Sequence, residues 1–127
     1  MPVLGVGVDM VKVERLVEAL ERFGARMEHR LFTEGELTYS RSHRDPLPHL
    51  AARFAAKEAA FKAIGTGLAE GVGWKQAEVH QPGGRQPRLE YHGAALERFR
   101  SLGGERVHLS LTHDGGYAVA CVVIEGA

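Results

Sequence analysis

The chain is expected to fold as one α+β domain, and three features predict this. Leu50 to Ile64 is rich in alanine and helix formers, with Pro46 and Pro48 before it and Gly65 after it, the punctuation of a helix. Val107 to Leu111 alternates apolar and polar residues, and Tyr117 to Ile124 is a nearly continuous apolar run. Between them, His113-Asp114-Gly115-Gly116 carries the Asp-Gly hairpin signal. A length of 127 residues suits a single domain over 1–127 with a modest core, and no repeat, low-complexity tract or linker divides it.

Taken in order, Val3 to Val8 reads as a short strand closing at Asp9, with Gly5 and Gly7 interleaved. A helix follows from about Val11 to Phe23, because Val13, Leu16, Val17 and Leu20 recur at helical spacing. Gly24 interrupts it, and Met27 to Phe32 continue without a defined conformation. Thr33 caps a second helix, with Glu36 three residues on completing a capping box. After the central helix, Gln76 to His80 and Arg88 to Tyr91 read as strands flanking the loop Gln81 to Pro87. Ala94 to Leu102 is a short helix closed by Gly103-Gly104.

Sixteen basic against sixteen acidic residues leave no net charge, which argues against a general nucleic-acid binder. The lone cysteine, Cys121, can form neither an internal disulfide nor a cysteine cluster for zinc, and reads as a buried structural thiol. Met1 to Val8 is too short for a signal peptide, and no run approaches the roughly 20 apolar residues that span a bilayer. A cytoplasmic protein without membrane attachment is expected.

The central helix holds the most informative residues. At 100° per residue, Glu58 and Lys62 fall in the arc that also carries Leu50, Ala51, Phe54, Ala55 and Phe61. The pair has the order of a surface ion pair at i and i+4, a minor stabiliser. Among core-like side chains it reads instead as a site facing a polyanion, because buried charge needs a partner. Arg53 and Lys57 lie towards the other edge of the helix, either solvated or functional. Gly65-Thr66-Gly67 is a C-cap and turn, and also a place where a phosphate meets backbone amides and a hydroxyl with no Cβ in the way. It is not a P-loop, because the G-x-x-x-x-G-K-[ST] spacing is absent. Asp9 reads as an N-cap or as a Mg²⁺ ligand, and Glu58 is the second carboxylate a hard cation would use. His113 is a turn histidine or a phosphate contact.

Three segments together resemble the holo-acyl-carrier-protein synthase family, the small 4′-phosphopantetheinyl transferases. They are Gly5-Val6-Gly7-Val8-Asp9-Met10-Val11 with Arg15 following, Arg53-Phe54-Ala55-Ala56-Lys57-Glu58-Ala59 through Gly67, and Leu109-Ser110-Leu111-Thr112-His113-Asp114 with Tyr117-Ala118-Val119-Ala120. Gly84-Arg85-Gln86-Pro87 looks like the family's Gly-x-x-Pro hairpin, and Phe32-Thr33 with Glu36-Leu37 resembles its second-helix entry. The resemblance implies an antiparallel sheet packed with a long central helix, and trimers whose active sites lie between subunits. It implies transfer of 4′-phosphopantetheine from coenzyme A to a serine hydroxyl of apo-acyl carrier protein, in support of fatty acid biosynthesis. Mg²⁺ falls to Asp9 and Glu58, and the pyrophosphate to Lys62 and the Gly65–Gly67 turn. Thr112 and His113 match the family's phosphate-contacting pair, and Arg53 is a further candidate for the bisphosphate.

Catalysis of this kind is mainly positioning and electrostatic stabilisation, for which Asp9, Glu58 and Lys62 are the expected catalytic residues. The base for the serine proton is Glu58, or a metal-bound water held by Glu36 or Glu58. Carrier proteins are acidic, so Arg15, Arg22 and Arg26, spaced seven and four apart, are the expected docking residues if the first helix persists past Gly24. Two other readings fit the same motifs: a coenzyme A or nucleotide module without catalysis, and a Mg²⁺-dependent pyrophosphate hydrolase.

Overall fold

A computed structural model describes residues 2–69 and 71–127. Two antiparallel sheets enclose one long helix. Strands β1 (Val3–Lys12), β4 (Arg106–Asp114) and β5 (Tyr117–Glu125) form a sheet in the order β1-β5-β4, and β2 (Ala77–His80) pairs with β3 (Arg88–Tyr91) in a separate ribbon. The helices are α1 (Val13–Leu31), α2 (Glu34–Arg41), α3 (Leu47–Ile64) and α4 (Gly93–Ser101). No helix among the described residues is long and apolar enough to cross a membrane.

Helix α3 lies between the two sheets and is buried on nearly every side, including Ala51, Ala52, Ala55, Ala56, Ala59 and Ala60. Small side chains allow such close packing, and around Gly5 and Gly7 it becomes extreme. A Cβ on Gly7 would stand 1.8 Å from the Ala59 carbonyl oxygen, and one on Gly5 2.1 Å from that of Ala63. These two glycines bring the backbone of β1 directly onto α3. The consequence is positional, because the next inward-facing residue of the strand is Asp9, opposite Ala120 of β5.

Several boundaries differ from the sequence reading for one reason, tertiary pairing. Strand β1 continues past Asp9 to Lys12 because β5 pairs with it as far as Tyr117. Asp9 is therefore a mid-strand residue, and Lys12 occupies the N-cap position of α1. Gly24, at φ 68° and ψ −157°, breaks α1 into two helical segments, so Met27 onward is helical again. Thr33 and Glu36 form the expected capping box, with the Thr33 amide donating to Glu36 Oε1 at 2.9 Å and the Glu36 amide to Thr33 Oγ1 at 3.2 Å. The last hairpin turns at Gly115-Gly116, both at positive φ, which places His113 within β4 rather than in the turn.

The sheet is covered on one face only. Val6, Val8 and Met10 of β1 point away from α3 and are exposed, beside Val123, Cys121 and Val119 of β5. Cys121 is accordingly half-buried on this open face, not the interior thiol expected.

Candidate active site

Three of the expected residues converge. Lys62 Nζ lies 3.0 Å from Asp9 Oδ1 and also donates to the Val8 carbonyl at 3.1 Å. The lysine therefore pairs across elements with Asp9, rather than along its own helix with Glu58. Glu58, one turn earlier, shares with Asp9 a cleft of about 380 Å³ that is also lined by Arg15, Met27 and Phe54. Burial and the neighbouring Asp9 carboxylate push Glu58 above the ordinary glutamate value, partly offset by Lys62. Two carboxylates that repel each other across an open cleft, served by a single lysine, fit a hard divalent cation that takes oxygen ligands.

The charged residues fully enclosed by the fold are others. Arg53 is 1 % exposed and Lys57 0 %, so neither is a solvated face residue. Lys57 Nζ lies 2.7 Å from Glu36 Oε1 and donates to the Ala77 and Trp74 carbonyls at 2.7 and 3.2 Å. Burial pushes Lys57 below the ordinary lysine value, and Glu36 opposes this. Glu36 also accepts from the Val79 amide at 2.9 Å. Fully buried, with both oxygens bonded to interior groups, Glu36 has no access within this chain to a metal-bound water or a serine proton. Its candidacy as base ends there.

Arg53 stands five residues before Glu58, about 140° around the helix, and faces elsewhere. Its guanidinium lies over the Tyr39 ring at 4.1 Å and donates to Gln81 Oε1 at 2.8 Å, on the loop between β2 and β3. Nearby, His49 stacks on His43 at 3.6 Å and meets the His113 ring edge-on at 5.7 Å. Burial, and then the proximity of His43, Arg53 and His113, push His49 below its ordinary value, with Asp45 opposing. This is a second, cation-rich corner of the molecule. Thr112 is not part of it: adjacent strand residues face opposite ways, and Thr112 pairs with Val119 on the open face of the sheet.

The Gly65–Gly67 turn follows Lys62, and its amides are partly spent. Gly65, at φ 77°, donates to the Lys62 carbonyl, and the Thr66 amide to that of Phe61, the two bonds of a Schellman cap. The Thr66 hydroxyl donates to the Gly67 carbonyl. What the turn offers a phosphate is an approach free of side chains at Gly67, and the Thr66 hydroxyl proton once it leaves the Gly67 carbonyl.

Arg15 borders the Asp9–Glu58 cleft, while Arg22, Arg26 and Arg30 line an adjoining groove of about 580 Å³ with Phe23, Met27, Phe54 and Trp74. Met27 and Phe54 belong to both, so the arginines follow one continuous surface despite the break at Gly24. The floor of this groove, with Phe54 stacked on Trp74 at 5.1 Å, escapes the sequence reading. The available signal was a lone tryptophan directly after Gly71-Val72-Gly73, which does not fix its place in the fold.

Comparison with known proteins identifies the family and the fold. The family model for the 4′-phosphopantetheinyl transferase superfamily matches residues 5–122. The holo-[acyl-carrier-protein] synthase of Koribacter versatilis is 48% identical over 124 residues, covering 97% of this chain and 98% of that protein. Its counterpart from Syntrophotalea carbinolica is 46% identical, with 99% of each chain covered. The crystal structure of holo-[acyl-carrier-protein] synthase from Neisseria meningitidis superposes with a TM-score of 0.86 at 33% identity, covering 98% of this chain and 99% of that one. The Bacillus anthracis enzyme in complex with coenzyme A (3′,5′-ADP) superposes at 0.78 with 32% identity over 98% of both chains. The chain belongs to the 4′-phosphopantetheinyl transferase superfamily.

Proposed function

We propose that this chain moves 4′-phosphopantetheine from coenzyme A to a serine hydroxyl of an apo-acyl carrier protein, leaving adenosine 3′,5′-bisphosphate, in the cytoplasm. The observation that carries the reading is the Asp9–Glu58 carboxylate pair beside Lys62, opening on a cleft rimmed by arginine. Full-length relatives named holo-[acyl-carrier-protein] synthase, and one solved with coenzyme A, support the same assignment.

In the reaction the serine oxygen forms a bond to the β-phosphorus of the diphosphate. The bond from that phosphorus to the bridging oxygen breaks, and the serine proton passes to Glu58. Glu58 lines the cleft, and its two oxygens would allow one to face a cation while the other takes the proton. Lys62 brings positive charge to the diphosphate as negative charge builds on the leaving phosphate. Mg²⁺ held by Asp9 and Glu58 would neutralise the same developing charge. Lys62 must then exchange Asp9 for a phosphate oxygen, an exchange its half-exposed side chain permits. The Gly65–Gly67 turn receives the diphosphate, and the Phe54–Trp74 floor gives the pantetheine arm an apolar surface.

Arg53 and His113 stand apart from this cleft within one chain, and Thr112 faces away from both. Their expected phosphate contacts are compatible with a homotrimer in which the corner of one subunit completes the cleft of the next. The exposed Val6, Val8 and Met10 supply an apolar sheet face for such an assembly. Arg15, Arg22 and Arg26 form the docking rim for the acidic carrier protein. Incubation with coenzyme A, Mg²⁺ and an apo-acyl carrier protein tests the proposal: the carrier gains the mass of phosphopantetheine. Release of phosphate products without that gain would instead establish a hydrolase, and neither change would establish a binding module.

A further inference from the structure

The β2–β3 ribbon carries an arrangement that the transfer reaction does not use. Its inner face is Ala77, Val79, Leu89 and Tyr91, all buried. Its outer face presents Glu78, His80, Glu90 and His92, with one donor atom from each residue lying within 4.8 Å of all the others. In the register, Glu78 stands directly opposite Glu90. Like charges in that position destabilise a strand pair, and a two-stranded ribbon has little stability to spare.

The four residues alternate nitrogen and carboxylate around a ring. His80 Nε2 lies 2.9 Å from Glu90 Oε1 and 3.4 Å from Glu78 Oε1; His92 Nε2 lies 3.0 Å from Glu78 Oε1 and 3.6 Å from Glu90 Oε1. Zinc bonds of about 2.0–2.1 Å in a tetrahedron place ligand atoms about 3.3 Å apart. Four of the six edges already bracket that value. The Thr33 side chain lies beside Glu78, where it could lend the kind of outer support that metal ligands use.

We propose that Glu78, His80, Glu90 and His92 form a structural site for a borderline transition-metal ion of the Zn²⁺ class. It is distinct from the oxygen-only Asp9–Glu58 pair and independent of the function proposed above. A mixed imidazole and carboxylate set selects such ions over Mg²⁺, which takes oxygen ligands. The bound ion would pin the ribbon and the loop between its strands, from which Gln81 holds Arg53.

The test is calorimetric titration of the chelator-treated full chain with ZnCl₂ at pH 7.5, with and without a large excess of MgCl₂. Expected is one Zn²⁺ per chain, undisturbed by Mg²⁺, weakened at least tenfold in His80→Gln and in His92→Gln, and unchanged in Asp9→Asn. Circular dichroism of each variant establishes that it is folded. Binding should also weaken as pH falls through the histidine range, because the ion displaces protons. No saturable Zn²⁺ binding, binding that persists in both histidine variants, or binding lost in Asp9→Asn would each overturn the proposal.

Discussion

Helix α3 holds two lysine–carboxylate pairs, and they behave oppositely. Lys57 and Glu36 are sealed in the interior, and their polar atoms are taken up by Trp74, Ala77, Thr33 and Val79. Lys62 and Asp9 meet at the mouth of a cleft, with Glu58 beside them carrying repulsion that Lys62 only partly offsets. A satisfied buried pair fixes structure and has nothing left to offer a substrate. An incompletely satisfied pair at a cleft is poised for exchange, because a cation or a phosphate improves its electrostatics. The closeness of β1 to α3, set by Gly5 and Gly7, creates the second pair, whereas the capping box of α2 creates the first.

The contrast can be broken by substitution. Lys57→Ala leaves the Glu36 charge buried alone, which costs about 3–5 kcal/mol, a large part of the total stability of such a domain. Urea titration at pH 7 should show that loss, while Lys62→Ala at the exposed pair should cost no more than about 1 kcal/mol. Glu58→Gln should lower kcat for carrier modification by about 10²-fold or more at ordinary Mg²⁺ with the urea midpoint nearly unchanged. A near-normal rate would reject Glu58 as ligand and base. Arg15→Glu should raise KM for the carrier protein several-fold, to about tenfold, and flatten its dependence on salt; an unchanged KM would remove Arg15 from docking.

The smallest effect is on stability against pH. Burial and Asp9 raise Glu58 in the folded chain, so the folded state holds a proton more readily than the unfolded one. Stability contributed this way is present at low pH and declines as pH rises through the ordinary glutamate range to the raised value. In the presence of EDTA, Glu58→Gln should remove that slope and raise Tm at pH 7 by no more than about 2 °C. Thermal scans between pH 4 and pH 7 show whether the wild-type chain has the slope and the variant lacks it.

Much of the cleft was legible in the sequence. Asp9, Glu58 and Lys62 stood out by type and placement, and their meeting followed from the family likeness. Periodicity failed on α3 because that helix is buried on nearly every side, so no clear polar face existed against which Arg53 and Lys57 could be read as buried. The partner of Lys57 comes from another helix 21 residues earlier, which no local pattern reveals. Asp9 was placed at a strand end because nothing nearby signals that β5 extends the pairing to Lys12. Thr112 and His113 were grouped as neighbours in sequence, and the alternation of a strand that runs further than its apolar pattern separates them. The Phe54–Trp74 floor depends on the path of the Val72–Gln76 segment across α3, which is set by packing.

The central claim is that Asp9 and Glu58 share one divalent ion. Mn²⁺, a spectroscopically visible substitute for Mg²⁺, tests it directly by electron paramagnetic resonance of the free ion during titration. His80→Gln should be used as the background, so that the ribbon does not compete. Asp9→Asn and Glu58→Gln should each weaken the same single Mn²⁺ equivalent by tenfold or more. Full Mn²⁺ affinity in either variant would contradict a shared site.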